Sequence, residues 1–314
     1  MTSIRLATAA TANAKRPVDL ASAIVELLRD FSIEVTPKQA ARVESFAALL
    51  PPGTRVFVTF VPGETVDAVL PVVERLAREG MRPVPHVAAR NLLAEATLQH
   101  HLRGARACGA SEALVIAGGA RKPLGPYAST MDLLATGLFE ELGYTRLHVA
   151  GHPEGSPDIP DAELARALAA KNAWSARTGI PVELVTQFTF DGVRLGAWER
   201  EIRASGNRLP IRAGLAGPAS VTSLLRYARM CGVSASVGFL QRSGGRFLQL
   251  VGQAAPDGPI LALARARMED PGSLLRGVHF YPFGGFVRTA AWAGAVAEGR
   301  FTLFADESGF AVEI

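Results

Sequence analysis

Residues 55–87 read RVFVTFVPGETVDAVLPVVERLAREGMRPVPHV, and their pattern decides the fold class. A β-branched and aromatic run over Arg55–Val61 predicts a strand, and a helix is predicted over Thr65–Glu79, ended by Gly80. A second β-rich run, Arg82–Val87, follows directly. A strand, a helix and another strand in this order, without a hairpin turn, are typical of a parallel sheet with crossover helices.

The same alternation continues along most of the 314 residues. Six further strands are predicted, at Phe31–Thr36, Ala113–Ala117, Arg146–Ala150, Val182–Phe188, Pro210–Leu215 and Val278–Phe283. Helices are predicted at Val18–Arg29, Ala94–Ala107, Thr130–Leu142 and Asp161–Arg177. Eight strands leave little chain for a second domain, so we predict an α/β fold, a single (β/α)8 TIM barrel with an extra N-terminal helix.

The predicted domain organisation is a flexible N-terminal tail over 1–17, a catalytic barrel over 18–304 and a C-terminal tail over 305–314. A glycine-rich insert at 239–259 interrupts the pattern between the seventh and eighth strands. We interpret this insert as a hairpin or a lid.

Composition excludes several classes of protein. With 48% hydrophobic and 20% charged residues the chain resembles an ordinary globular enzyme, and a disordered chain is excluded. A net charge of +4 without a clustered basic stripe argues against nucleic-acid binding, and apolar runs of strand length argue against a membrane span. The cysteines, Cys108 and Cys231, are far apart and predict buried thiols in a cytoplasmic protein. The pattern leaves a homo-oligomer open.

Three polar residues at predicted strand ends are candidates for chemistry, because TIM barrels carry their sites there. Glu34 lies between apolar neighbours, where desolvation would raise its pKa and make it a general acid; the alternative is an outward ion pair. His86 follows two prolines and is either functional or structural. Gln187 lies in an apolar strand, where its amide forms hydrogen bonds either to the edge of a bound heterocycle or to the protein backbone. The six histidines lack metal-ligand spacing, so no metal is predicted.

Several strings at these strand ends resemble the methylenetetrahydrofolate reductase family over about Leu20 to Phe304. They are FSIEVTP at 31–37, PHV at 85–87, PYASTMD at 126–132, GHPE at 151–154, VTQFTFD at 185–191 and HFY at 279–281. The VTQFTFD string is the most specific of them.

The resemblance implies an oxidoreductase that binds FAD and transfers hydride between NAD(P)H and the one-carbon unit of methylenetetrahydrofolate or methyltetrahydrofolate. It implies Glu34 as general acid, and tetrahydrofolate derivatives as partners. The implied substrate contacts are Gln187, Phe188 and Tyr227. The implied cofactor contacts are His86, Gly119, Ala120, Tyr127, Ala128, Ser129 and His152.

The chain also departs from that family's pattern. Ala120 stands where the family has an aspartate beside the flavin, and His152 replaces a tyrosine. These departures leave two readings of the cofactor, a retained FAD or direct hydride transfer without flavin. A folate-binding barrel that has lost redox chemistry is the alternative function. An unrelated barrel lyase or phosphate-site enzyme is disfavoured, because the loop after strand seven lacks a glycine-rich phosphate nest.

Overall fold

The computed structural model describes residues 19–60, 65–220, 224 and 255–313. Within them, eight parallel strands close into a barrel in the order of the sequence, which confirms the predicted (β/α)8 fold. The strands are β1 Ser32–Val35, β2 Arg55–Val58, β3 Arg82–Ala88, β4 Glu112–Ile116, β5 Arg146–Gly151, β6 Val182–Thr189, β7 Ile211–Ala216 and β8 Leu275–Tyr281. The first and last strands pair through Ser32 with His279 and Ile33 with Phe280.

Helices cover the outside of this barrel, and the first of them is the predicted extra N-terminal helix. They are α1 Leu20–Leu28, α2 Pro37–Ala40, α3 Val66–Arg78, α4 Glu95–Ala107, α5 Thr130–Ala135, α6 Leu138–Glu141, α7 Asp161–Thr178, α8 Gly192–Ala204, α9 Asp257–Glu269 and α10 Phe286–Ala297. Their apolar faces pack on the outward side chains of the strands to form one large core.

Several regions differ from the sequence-based prediction. The single helix expected over Thr130–Leu142 is two helices, because Gly137 between them adopts a left-handed φ of 74° and ends the first. The last residues contain a hairpin, in which β9 Phe301–Leu303 pairs antiparallel with β10 Phe310–Val312. Phe310 is buried against Trp292, so residues predicted as a C-terminal tail cover the end of α10.

Phe57 fills the middle of the barrel. Its ring centroid lies 4.5 Å from that of His279, 5.0 Å from His148 and 6.2 Å from His86. Val84, Leu114 and Val185 surround it and form a small interior cluster separate from the outer core. The barrel is therefore a packed core whose polar residues are divided into groups above and below this ring.

Below Phe57, toward the N-terminal ends of the strands, lies a cluster of charged side chains, all buried except Asp30, which we call the lower ion cluster. Its members are Asp30, Arg55, Glu112, His148, Glu183 and Arg212. Arg55 donates to Glu112 at 2.8 Å, and Arg212 donates to Glu183 at 3.2 Å. Both arginines also reach Asp30 at the end of α1, so the cluster ties opposite sides of the barrel together.

The lower ion cluster predicts a loss of stability in acid. Burial alone would raise the pKa of Glu112, but His148 and Arg55 lower it from 4.5 to about 2. The resulting stability is present above pH 4.5 and is lost as the pH falls toward 2. Between pH 6 and pH 3 we expect the wild type to lose about 2 kcal/mol more unfolding free energy than Glu112→Gln does.

Urea denaturation at the two pH values measures this difference, with Glu44→Gln as the exposed control. The control should follow the wild-type pH dependence. Equal acid losses in the wild type and Glu112→Gln would contradict the assignment of the stability to Glu112.

Among the described residues, no helix is long and apolar enough to cross a bilayer. The predicted insert at 239–259 and Cys231 fall largely or wholly outside the part of the chain that the structure describes. Cys108 is a free thiol, partly exposed at the end of α4.

Candidate active site

Above Phe57, the Glu34 carboxylate lies between two histidine rings. Its Oε2 atom is 3.5 Å from His86 Nε2 and 3.9 Å from His279 Nε2. The two rings are almost fully buried, whereas the Glu34 side chain keeps 19% of its surface exposed toward the open C-terminal end of the barrel. The strand register brings these three residues together from β1, β3 and β8, which are distant in sequence.

Glu34 differs in protonation from the sequence-based expectation. Burial alone would raise its pKa as expected, but His279, His86 and Thr59 together lower it below its ordinary value. Burial also lowers the pKa of His86 to about 4 and lowers that of His279, although Glu34 opposes both shifts. At neutral pH Glu34 is therefore a carboxylate between two neutral imidazoles, and its role as a general acid stays a prediction.

The two histidines are held in different ways. His279 Nδ1 lies 2.9 Å from Ser32 Oγ, and both groups are fully buried beneath the carboxylate. The backbone oxygen of His86 accepts a hydrogen bond from His101 Nε2. This bond fixes the main chain of β3 but not the His86 ring. The Nε2 atom of His86 is buried and has no hydrogen bond of good geometry among the described residues.

Aromatic rings line one side of the mouth. Phe188 contacts Phe190, Tyr281 and Phe283, with centroid distances of 5.6, 5.9 and 4.9 Å. Tyr281 and Phe283 are nearly parallel at 16°, and Phe283 has a left-handed φ of 47°, which costs a non-glycine residue energy. Phe188 is therefore part of a rigid wall beside the Glu34 site. Gln187, its neighbour in β6, is half-buried.

A second polar pair lies at the end of β5. Lys171 of α7 is buried and donates from Nζ to the Ala150 oxygen at 3.1 Å. Burial lowers its pKa to about 8, and burial together with Lys171 lowers the pKa of His152 to about 4. Among the described residues, no recorded contact joins His152 to Glu34, so the predicted cofactor residue belongs to a separate polar pair.

Other residues predicted to contact a cofactor have structural roles in the loop after β4. Ser129 is the N-cap of α5 and accepts from the Asp132 backbone at 3.3 Å. Arg90 donates to the backbone oxygens of Ala128 and Ala120. Gly119 is exposed, whereas Tyr127 is buried among the apolar residues of the core. These contacts shape the loop and neither exclude nor establish a bound cofactor.

Tyr227, the remaining predicted substrate contact, lies outside the described residues. Sequence reasoning did not single out His279, Thr59 or Lys171 for the site. His279 was visible as a polar residue in an apolar strand, but only the closure of β8 on β1 places it under Glu34. Among the described residues, no group of three or more His, Cys, Asp and Glu side chains has the geometry to hold a metal ion.

Two solved structures from Burkholderia cenocepacia J2315 are similar to the chain at low identity. One, provisionally described as a lyase/mutase, has 13% identity and a TM-score of 0.45, over 90% of this chain and 89% of its own. The other, provisionally described as a phosphonomutase, has 12% identity and a TM-score of 0.43, over 73% of this chain and 100% of its own. No family model matches the chain.

The predicted membership of the methylenetetrahydrofolate reductase family is wrong, because no family model matches the chain. The quoted strings lie at strand ends, where any TIM barrel collects polar and turn-forming residues. The oxidoreductase, flavoprotein and folate-binding functions drawn from that resemblance are corrected with it. FAD, NAD(P)H and tetrahydrofolate derivatives, which only the resemblance implied, stay untested predictions.

The Glu34 and His86 pair predicts a measurable change in histidine titration. Burial lowers the pKa of His86 to about 4, and the negative charge of Glu34 opposes this shift. In Glu34→Gln we expect the His86 midpoint to fall further, because the opposing charge is gone. NMR of the imidazole ring, titrated from pH 8 to below pH 4, measures this, with exposed His100 as internal reference. A higher midpoint in the variant would contradict the assigned charge of Glu34.

Proposed function

We propose that the chain is an enzyme whose reaction includes proton transfer from a bound small organic molecule to Glu34. The observation that carries this proposal is the partly exposed Glu34 carboxylate between two buried neutral imidazoles, at the end of the barrel where such enzymes carry their sites. A carboxylate that stays ionised at neutral pH is a base that can accept a proton.

The proposed step balances with groups already in the site. A C–H bond of the substrate breaks, the proton goes to Glu34 Oε2, and the electron pair stays on the substrate. His86 Nε2 is buried 3.5 Å from Glu34 Oε2, so this ring lies against the carboxylate on the side away from solvent. His279 holds the carboxylate from below through its own contact with Ser32.

The walls of the site indicate the kind of substrate. The nearly parallel rings of Tyr281 and Phe283 offer an apolar surface, which suits a planar group. The half-buried amide of Gln187 offers both a donor and an acceptor. We therefore expect a molecule with a planar portion and a polar edge, such as a carbonyl compound or a nitrogen heterocycle.

Deuterium incorporation tests the proposal without knowledge of the complete reaction. The protein is incubated in D2O with pools of oxo acids, enolisable ketones and nitrogen heterocycles, and NMR records loss of carbon-bound hydrogen. The proposal predicts at least one compound whose exchange requires the protein. If none of the compounds exchanges hydrogen with the protein present, the proposal is wrong. A compound that binds in that case would indicate that the barrel is a binding protein.

A further inference from the structure

The sixth strand carries an irregularity beside the proposed site. In the pairing of β6 with β7, Val185 faces Arg212 and Phe188 faces Gly214. Three steps along β6 therefore match two along β7, so one residue is extra in β6. Such a bulge re-aims a side chain at the end of a strand. The extra residue lies in Thr186–Gln187, where Gln187 was predicted to bind substrate.

Three hydrogen bonds hold Thr186 at this bulge. Its hydroxyl accepts from the Gly214 backbone nitrogen at 2.8 Å and donates to the Gln187 oxygen at 2.8 Å. Its backbone oxygen accepts from the Tyr281 hydroxyl at 2.9 Å. Its methyl group points outward, because it lies 3.3 Å from where a Cβ of Gly151 would be. Val185 before it packs inside the barrel, and Gln187 after it is half-buried near the end of the strand.

Gly214 makes this arrangement possible. A Cβ built at Gly214 would lie 2.2 Å from the Thr186 oxygen, 2.8 Å from the Gln187 oxygen and 2.9 Å from Tyr281 Cε2. Two of these atoms are backbone and belong to the bulge itself, so a side chain at this position would force β6 and β7 apart. The glycine therefore permits a close approach of two strands at the point where Tyr281 also meets them.

We infer that Gly214, Thr186 and Tyr281 form a lock that fixes the β6 bulge and thereby orients the Gln187 amide over the Glu34 site. Tyr281 is a positioning residue in this arrangement: it acts on Gln187 through the Thr186 carbonyl. The inference rests on the proposed function for its consequence in catalysis, but the geometry of the lock can be tested by itself.

Tyr281→Phe removes the hydroxyl and keeps the ring. We expect the side-chain amide signals of Gln187, assigned by NMR through Gln187→Glu, to shift or broaden in this variant. The matched control is Tyr144→Phe, because the buried Tyr144 hydroxyl donates to the Leu102 oxygen at 3.0 Å away from the barrel mouth. The control should leave the Gln187 signals in place. Unchanged Gln187 signals in Tyr281→Phe would overturn the inference.

Thr186→Val supplies a second variant, since it keeps the shape and removes the hydroxyl that accepts from Gly214. Hydrogen exchange of the Gly214 amide should become at least about tenfold faster, because a 1.4 kcal/mol loss of protection corresponds to that factor. Unchanged exchange at Gly214 would also overturn the lock. Both measurements use the intact protein and need no substrate, so neither depends on the outcome of the deuterium screen.

The catalytic consequence is a third readout, made on a compound found in that screen. Tyr281→Phe should slow deuterium incorporation by about tenfold or more, because misplacing a positioning group by ~1 Å costs up to about 10²-fold. Tyr144→Phe should exchange at the wild-type rate. If Tyr281→Phe perturbs Gln187 but exchanges normally, the role of the lock in catalysis is overturned while the proton transfer at Glu34 stands.

Discussion

Glu34→Gln is expected to reduce protein-dependent deuterium incorporation by about 10²–10⁴-fold, the usual contribution of a positioned acid or base. The amide keeps the size of the side chain but cannot accept a proton. Because the carboxylate is 19% exposed and not part of the lower ion cluster, the fold should survive the change. The measurement is the exchange rate of one responsive compound in D2O at neutral pH.

The matched control for this experiment is Glu44→Gln, which makes the same chemical change on the exposed surface. Its exchange rate should equal that of the wild type. Exchange at the wild-type rate in Glu34→Gln would refute the proposed role of Glu34, even if the barrel binds the compound. Circular dichroism and denaturation of both variants separate loss of the base from loss of the fold.

Arg212→Met is expected to destabilise the barrel by about 3–5 kcal/mol, the cost of breaking a buried ion pair from one side. Arg212 is 2% exposed and binds Glu183 together with the side chain and the backbone oxygen of Asp30. Its removal leaves Glu183, which is also buried, without its guanidinium partner. Methionine fills much of the same volume, so the loss is mainly electrostatic.

Arg194→Met is the control for this loss, since Arg194 forms an exposed ion pair with Glu201. Such surface pairs contribute about 0–1 kcal/mol. Urea denaturation at pH 7 of both variants and the wild type gives the comparison. A change below about 1 kcal/mol in Arg212→Met would show that the lower ion cluster does not stabilise the barrel in the way its contacts indicate.

The fold was largely predictable from sequence because strands and helices alternate with clear breaks. All eight strands were predicted, and the ends differ most at β8, which begins at Leu275 instead of Val278. There the charged Arg276 and the small Gly277 interrupt the apolar run. Helices α2, α8, α9 and α10 were not predicted. The buried residues of α8 and α9 do not form a simple apolar stripe, because arginines and alanines are mixed through both segments.

The site was less predictable than the fold. Glu34 and His86 were both candidates, but their separation of 3.5 Å follows from strand register, which local sequence does not reveal. The sign of the pKa shift at Glu34 depended on His279, a contact made only when the barrel closes. The bulge at Thr186–Gln187 needs knowledge of the facing strand, since nothing within VTQFTFD marks an extra residue.

The ring of Phe57 has a consequence for how this barrel can change. It lies between the histidines of the mouth and His148 of the lower ion cluster, and apolar neighbours surround it. It is therefore an apolar layer between the polar residues of the mouth and those of the lower ion cluster. The layer does not isolate the two groups, because burial and then the charge of Arg212 lower the pKa of His279, and Phe57 contacts both His279 and His148. Substitutions on the two sides should therefore have non-additive effects on stability. A change of chemistry at the mouth should thus also alter the stability of the fold.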